Sequence, residues 1–221
     1  MIHTGDQAQR NPSLSNGPVV VLLAGGWGRR MGGGDKGLRV VAGMPILRHV
    51  LNRARGWTDR IVLSANDDPA RFAGLDWLAG IPVLPDRVPG RPGPLAGILA
   101  AMDWAAGQVP DRGHVLSLPC DTPFLPPALW PSLAMQGGTG IAMATGPDGH
   151  RHPTVALWPV SLRHALREAL IEEGLHKVGV FAARHGRVDV PFPAGPDGID
   201  PFFNINSPDD LAQAEALIPS A

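Results

Sequence analysis

The feature that most constrains the fold is the uninterrupted apolar run Pro18–Ala24, PVVVLLA, which ends at a pair of glycines. Such a run is too short for a helix, and it is typical of a strand that helices cover on both faces. Comparable runs follow at Arg60–Ser64, Ile81–Leu84, His114–Leu118, Gly140–Ala144 and Thr154–Leu157. The sequence therefore predicts a series of short, buried strands.

Segments with helical spacing lie between and after these strands. Pro45–Ala54 carries one apolar stripe, and Ser161–Ile171 repeats apolar residues at i, i+3 and i+4. Near the C-terminus, Ser207 has the features of an N-cap, Pro208 suits the first helical turn and two acids suit the helix dipole, which predicts a helix that opens there and continues through Leu211–Leu217. The alternation predicts an α/β fold with a single domain, in which helices cover both faces of an open, twisted and mainly parallel sheet.

The bulk composition fits one compact domain and excludes several classes of protein. A chain of 221 residues suits a single domain, for which we expect residues 18–221, after a flexible N-terminal extension at 1–17. The extension lacks the apolar stretch of a signal peptide, and Cys120 is the single cysteine, so we expect a cytoplasmic protein with no membrane partner. The net charge of −1 argues against nucleic-acid binding.

A glycine-rich loop follows the first strand, over Leu23–Lys36. Glycines allow the backbone N–H groups to approach phosphate oxygens, and cations in the loop can add charge. The dinucleotide-binding motif is excluded because Met31 stands where its third glycine should be, and the P-loop is excluded because Gly37 follows Lys36. The loop is either a triphosphate cradle or a simple turn with solvated arginines.

The second chemical feature is an acid directly after a buried-type strand, in LSLPCDTPFLP. Mg²⁺ prefers carboxylate, phosphate and water oxygens, so Asp121 is a candidate metal ligand. Alternatively, Asp121 only caps a helix that begins near Pro126. We interpret the neighbouring Cys120 as a core residue, because no histidine is placed by the sequence to activate it as a nucleophile.

The remaining polar candidates lie in loops. A carboxylate such as Asp86 can accept two N–H groups from a guanine edge, although it is alternatively an ordinary loop acid before a proline-rich turn. Asn204 and Asn206 are two residues apart and can point at one ligand from an extended loop, or they serve as ordinary loop and cap residues.

The run LAGGWGRRMGGGDKGL resembles the signature loop of the nucleotidyltransferases that activate sugars and cofactors. Its RRMGG and DK elements are most similar to those of the molybdenum cofactor guanylyltransferases, and the resemblance extends from about Val19 to Leu211. It implies a Rossmann-like nucleotidyltransferase fold, Mg²⁺ as the cofactor, and transfer of GMP from GTP to the terminal phosphate of molybdopterin, with release of pyrophosphate.

The resemblance also assigns residues to this reaction. Catalytic roles fall on Arg30, Lys36 and Asp121, and the metal ligands are Asp121 and Asn206. The acceptor side comprises His152, Thr154, Asn204 and Asn206. The residues expected to bind GTP are Leu23, Ala24, Gly25, Gly26, Arg30, Met31, Gly32, Gly33, Lys36, Ser64, Asp86, Gly93, Pro94, Leu95 and Asp121. Ser64 departs from the family, which commonly has asparagine at this position.

Two other functions remain open at this point. One keeps the chemistry but changes the substrates, with CMP transferred to molybdopterin or a nucleoside monophosphate transferred to a sugar phosphate. The other is a non-catalytic protein that binds GTP or molybdopterin and releases no pyrophosphate. For the transferase we expect GTP and molybdopterin as substrates, a monomeric state, and transient contacts with other molybdenum cofactor biosynthesis proteins and with acceptor molybdoenzymes.

Overall fold

The structure is a computed structural model, which describes residues 17–25, 35–65, 69–85, 88 and 93–218. Its strands are β1 (Val19–Leu23), β2 (Val40–Val41), β3 (Met44–Pro45), β4 (Ile61–Ser64), β5 (Val83–Leu84), β6 (His114–Pro119), β7 (Ala142–Thr145), β8 (Arg151–Pro159) and β9 (Val188–Pro191). Its α-helices are α1 (Ile46–Arg55), α2 (Pro94–Gln108), α3 (Leu129–Gly137), α4 (Arg163–Ile171), α5 (Val178–Arg184) and α6 (Pro208–Leu217).

Seven of these strands form one sheet in the order β5, β4, β1, β6, β8, β7, β9, and β2 pairs with β3 in a separate hairpin. The neighbours of β1 on both sides, β4 and β6, run parallel to it. Within the described residues, β8 is the strand that runs against the others, antiparallel to both β6 and β7. The predicted mainly parallel α/β sheet is therefore confirmed.

The sheet is buried on both faces, as the continuous apolar run of β1 predicts. Val20 and Leu22 face a core layer that includes residues of α1 and α3. Val19 and Val21 face a second layer formed with α2, α4 and α5. Because alternate residues of a strand point to opposite faces, a strand between two helical layers must be apolar throughout.

The helical spacing located α1 and α4, and Ser207 caps α6 as predicted. The Ser207 hydroxyl accepts from Asp210 N, while the Asp210 carboxylate accepts from the Ser207 N–H, which completes a capping box. The helix starts at Pro208, directly after the predicted cap, and ends at Leu217, so this prediction is confirmed. No helix in the described ranges combines the length and hydrophobicity needed to span a bilayer.

The segment Pro94–Gly97 was interpreted as a turn only in the alternative for Asp86, and no helix was predicted there. These residues form the first turn of α2, with Pro94 in the first helical turn and Gly93 before it at a φ of 75°. Most of α2 is buried, so its residues are apolar nearly all round and show no single stripe. The short elements α5 and β9 were missed, α3 begins at Leu129 rather than near Pro126, and β8 extends beyond its predicted bounds of Thr154–Leu157.

The amino ends of three strands are joined by one buried arginine. The Arg112 side chain is 7% exposed, donates to the Gly17 carbonyl, and lies 3.1 Å from the Asp59 carboxylate. These three residues lie two positions before β6, β1 and β4, respectively. Gly17, which we predicted to be the last residue of the N-terminal extension, is thus buried against the folded domain.

Candidate functional site

A cavity of about 320 Å³ lies where the carboxyl ends of β1, β4 and β6 meet. Its lining consists of Leu23, Gly25, Lys36, Ser64, Gly93, Pro94, Gly97, Pro119, Cys120, Asp121 and Thr154. After β1 the sheet continues to β4 and β5 on one side, and the chain then returns to β6 on the other side. Ligands of open α/β sheets bind in the crevice that such a reversal creates, so the cavity lies where the fold favours binding.

Lys36 reaches the centre of this site from a short 3-10 helix at Lys36–Leu38. Its ammonium contacts Asp121 Oδ2 and lies 2.5 Å from Asn206 Oδ1. The side chains of Lys36 and Asp121 are only 11% and 18% exposed. Residues separated widely along the chain therefore place one positive group between two oxygen acceptors.

The backbone around Asp121 holds the two asparagines beside it. Ile205 N donates to the Asp121 carbonyl at 3.0 Å, which attaches the 203–206 segment to the end of β6. Asn204 Oδ1 accepts from the Thr122 hydroxyl at 2.7 Å, so the two asparagine side chains have different partners. The alternative role of Asp121 as a helix cap is not supported, because α3 begins at Leu129 and has no side-chain cap.

The first turn of α2 forms another wall of the cavity. It brings Gly93, Pro94 and Gly97 to the lining, and Ser64 lies below Gly97 with 2% exposure. The free N–H groups and positive dipole end of a helix N-terminus favour anions. Leu95 has a fully buried side chain in the core, so it can offer a ligand only backbone groups.

Ala24 is likewise fully buried, and its peptide groups are already bonded. Its N–H donates to the Ser64 carbonyl at 2.9 Å, and its carbonyl accepts from Arg71 Nη2 at 2.7 Å.

Cys120 is also buried, and burial raises the pKa of its thiol well above the usual range. Its interpretation as a core residue is confirmed.

The predicted acceptor-side residues occupy the start of β8 and the loop before α6. Thr154 lines the cavity, whereas His152 stands outside its lining and stacks on the Phe202 ring with 4.5 Å between centroids. Burial lowers the pKa of His152, while the carboxylates of Asp200 and Asp148 act in the opposite direction. This side of the site is therefore built partly from an aromatic contact that the sequence did not reveal.

Several of the predicted residues lie outside the described residues. They are Gly26, Arg30, Met31, Gly32, Gly33 and Asp86. The described part of the chain has no cluster of three or more His, Cys, Asp or Glu side chains that could hold a metal. The candidate cation ligands are thus the oxygens of Asp121 and Asn206, which Lys36 contacts.

Gly97, which the resemblance associates with GTP through the segment Pro94–Gly97, also lines the cavity. It sits so close to β4 that an added Cβ would stand 2.3 Å from Ser64 Oγ and 2.9 Å from Leu23 Cδ2, which only glycine allows. Sequence reasoning missed one further feature beside the site. Arg71 and Asp35 form an ion pair next to the site, and nothing in the spacing around Arg71 indicated this contact.

Comparison with known proteins gives consistent matches. Residues 20–188 match the family described as the MobA-like NTP transferase domain. The molybdenum cofactor guanylyltransferase of Bradyrhizobium sp. (strain ORS 278) is 48% identical over 200 residues, which cover 89% of this chain and 91% of that protein. The protein of the same name from Rhodopseudomonas palustris (strain BisB5) is 47% identical over 201 residues, covering 90% and 92%.

A solved structure also matches over most of its length. It is the molybdopterin-guanine dinucleotide biosynthesis protein A from Archaeoglobus fulgidus, with a TM-score of 0.67 and 25% sequence identity. The alignment covers 90% of this chain and 97% of that one.

Proposed function

The chain belongs to the MobA-like NTP transferase family, and from this premise we propose that it is a molybdenum cofactor guanylyltransferase. It transfers GMP from GTP to the terminal phosphate of molybdopterin and releases pyrophosphate. The structural observation that carries the proposal is the meeting of Lys36, Asp121 and Asn206 beside the cavity. The high identity to the named relatives favours GMP over the other nucleotides.

The proposed reaction needs alignment and charge compensation more than a reactive side chain. A phosphate monoester is already an anionic nucleophile at neutral pH, so its oxygen attacks the α-phosphorus of GTP and the bond to pyrophosphate breaks. Lys36 offsets negative charge on the phosphates, and the first turn of α2 presents its positive end to the same cavity. The buried thiol of Cys120 plays no part in this mechanism.

The donor set beside Lys36 fits a hard divalent cation. Asp121 offers a carboxylate oxygen and Asn206 an amide oxygen, and both already contact one positive group. Mg²⁺ needs few protein ligands when phosphates and waters supply the rest, so these two residues would hold it. When bound, Mg²⁺ would neutralise phosphate charge and polarise the reacting phosphoryl group.

The test of this function is a product assay with the purified protein, molybdopterin and each nucleoside triphosphate in turn. We expect pyrophosphate and a guanine dinucleotide of the pterin with GTP, and little product with CTP or when EDTA removes divalent ions. Pyrophosphate formed faster from CTP would show that the nucleotide assignment is wrong. GTP binding without any pyrophosphate, in the presence of Mg²⁺ and molybdopterin, would support the non-catalytic alternative.

Two single substitutions test the proposed machinery. Lys36→Ala and Asp121→Ala should each lower kcat/KM by about 10²–10³, because each removes a charged contact to the transition state. Lys177→Ala, an exposed lysine before α5, and Asp111→Ala, an exposed acid before β6, are matched controls that should keep the parent rate. Parent rates in both site variants would refute the assigned roles.

A further inference from the structure

A mostly buried ion pair lies beside the functional site, outside the residues assigned so far. Arg71 Nε is 2.9 Å from Asp35 Oδ2, with side-chain exposures of 20% and 7%. The Arg71 guanidinium also donates through Nη2 to the Ala24 carbonyl at 2.7 Å, directly after β1. One planar group therefore joins the end of β1 to the residue before Lys36.

The second oxygen of Asp35 fixes the turn that carries Lys36. Asp35 Oδ1 accepts from Gly37 N at 2.9 Å and caps the 3-10 helix. Gly37 is buried, and a Cβ there would lie 3.2 Å from Leu47 Cβ, so this backbone has little room to shift. Lys36 lies between these two fixed residues, and its backbone position depends on the orientation of Asp35.

Arg71 in turn has its own support. It belongs to the 3-10 helix Pro69–Phe72, between β4 and β5, and its guanidinium lies 4.7 Å from the centroid of the Phe72 ring. Burial raises the pKa of Asp35, and Arg71 and the Gly37 N–H partly offset this effect. A carboxylate buried to this degree is costly to keep ionised without a paired cation.

We propose that Arg71 is a positioning residue for Lys36. It orients Asp35, and Asp35 fixes the turn that carries Lys36, so that the Lys36 ammonium lies beside Asp121 and Asn206. The fork of the guanidinium suits this task, because separate nitrogens donate to Ala24 and approach Asp35. This inference rests on the proposed function, since it assigns Arg71 to the transfer reaction through Lys36.

The test is a double-mutant cycle on GMP transfer with Arg71→Met, Lys36→Ala and the double variant. Arg71→Met should lower kcat/KM by about 10- to 100-fold in the parent, because small displacements of a catalytic group have effects of this size. In the Lys36→Ala background the same change should cost less than about 2-fold, because the residues act as one unit. Equal losses in both backgrounds would overturn the proposal.

Two further variants address folding and geometry. Arg71→Lys keeps a positive charge without the fork and should still lose about 5-fold or more in kcat/KM, while Asp35→Asn should show the same non-additivity with Lys36→Ala. If Arg71→Met does not fold, these two variants complete the cycle. Parent kinetics in both Arg71→Lys and Asp35→Asn would also overturn the proposal.

Arg167→Met is the matched control, because Arg167 Nη2 forms a 2.5 Å contact with Asp103 between α2 and α4, away from the cavity lining. It should lower the thermal midpoint without changing kcat/KM. The proposed function is judged separately, from product formation by the parent and from the loss caused by Lys36→Ala alone. An active parent with an additive cycle would leave the function intact and reject the role of Arg71.

Discussion

At the scale of single residues, His152 on the acceptor side has surroundings that control its protonation. It is half-buried on the Phe202 ring, which excludes water from one face of the imidazole. Burial lowers its pKa from 6.5 against the opposing effect of Asp200 and Asp148, and His150 lowers it further. The folded chain therefore favours the neutral imidazole.

This preference gives a prediction for the pH dependence of stability. Because the pKa of His152 is lower in the folded state, the unfolded chain binds more protons as the pH falls below 6.5. The free energy of unfolding should therefore decrease from pH 8 to pH 5.5, and it should decrease less in His152→Gln. Urea unfolding at both pH values measures this, with the exposed His164→Gln as control. Equal pH slopes in the parent and His152→Gln would contradict it.

The individual contacts of the site were predictable to different extents. Lys36 and Asp121 could both be placed at the site because each follows a buried strand, and parallel strands bring their carboxyl ends together. The contact of Asn206 with Lys36 was not predictable, because a coil carries no periodic pattern that fixes its path. The contacts of Arg71 were not predictable either, because a lone arginine in a short turn is part of no periodic pattern.

Among the elements, α2 shows how packing sets the shape of the site. Gly97 allows its first turn to approach β4 so closely that any larger residue would press on Ser64 and Leu23. The helix was not predicted, because its nearly uniform apolar surface lacks the stripe that revealed α1 and α4. Burial on several sides, which the fold imposes, removed the very signal that marks a surface helix.

Substitution of two glycines within α2 tests this packing. Gly97→Ala should cost about 1–3 kcal/mol of unfolding free energy, because the new methyl group overfills the contact with Ser64, and it should weaken GTP binding. Gly107→Ala in the last turn meets nothing within 4 Å and should be neutral or stabilise the helix by about 0.5–1 kcal/mol. Chemical unfolding and nucleotide titration measure both effects. A Gly97→Ala protein as stable as the parent would refute the argument.

At the scale of the whole molecule, a buried arginine cluster and the candidate binding cavity lie at opposite ends of the same three strands. Arg112 joins the amino ends of β1, β4 and β6, whereas the cavity lies at their carboxyl ends. Arg112→Met should therefore lower the free energy of unfolding by about 1–3 kcal/mol, since it removes a buried donor from Gly17 and a cation from Asp59. Steady-state assays should give the parent KM for GTP, and a raised KM would contradict this separation.

The antiparallel direction of β8 brings residues from the second half of the chain to the cavity, beside those from the first half. Because β8 is antiparallel to β6, the amino end of β8 lies beside the carboxyl end of β6. Thr154 therefore reaches the cavity from the first half of its strand. Residues proposed for the nucleotide thus precede position 122, and those proposed for the pterin follow position 151. We therefore expect changes at Thr154 or Asn204 to alter which acceptor is modified while the triphosphate is still bound, whereas a change at Asn206, which contacts Lys36, should affect both substrates.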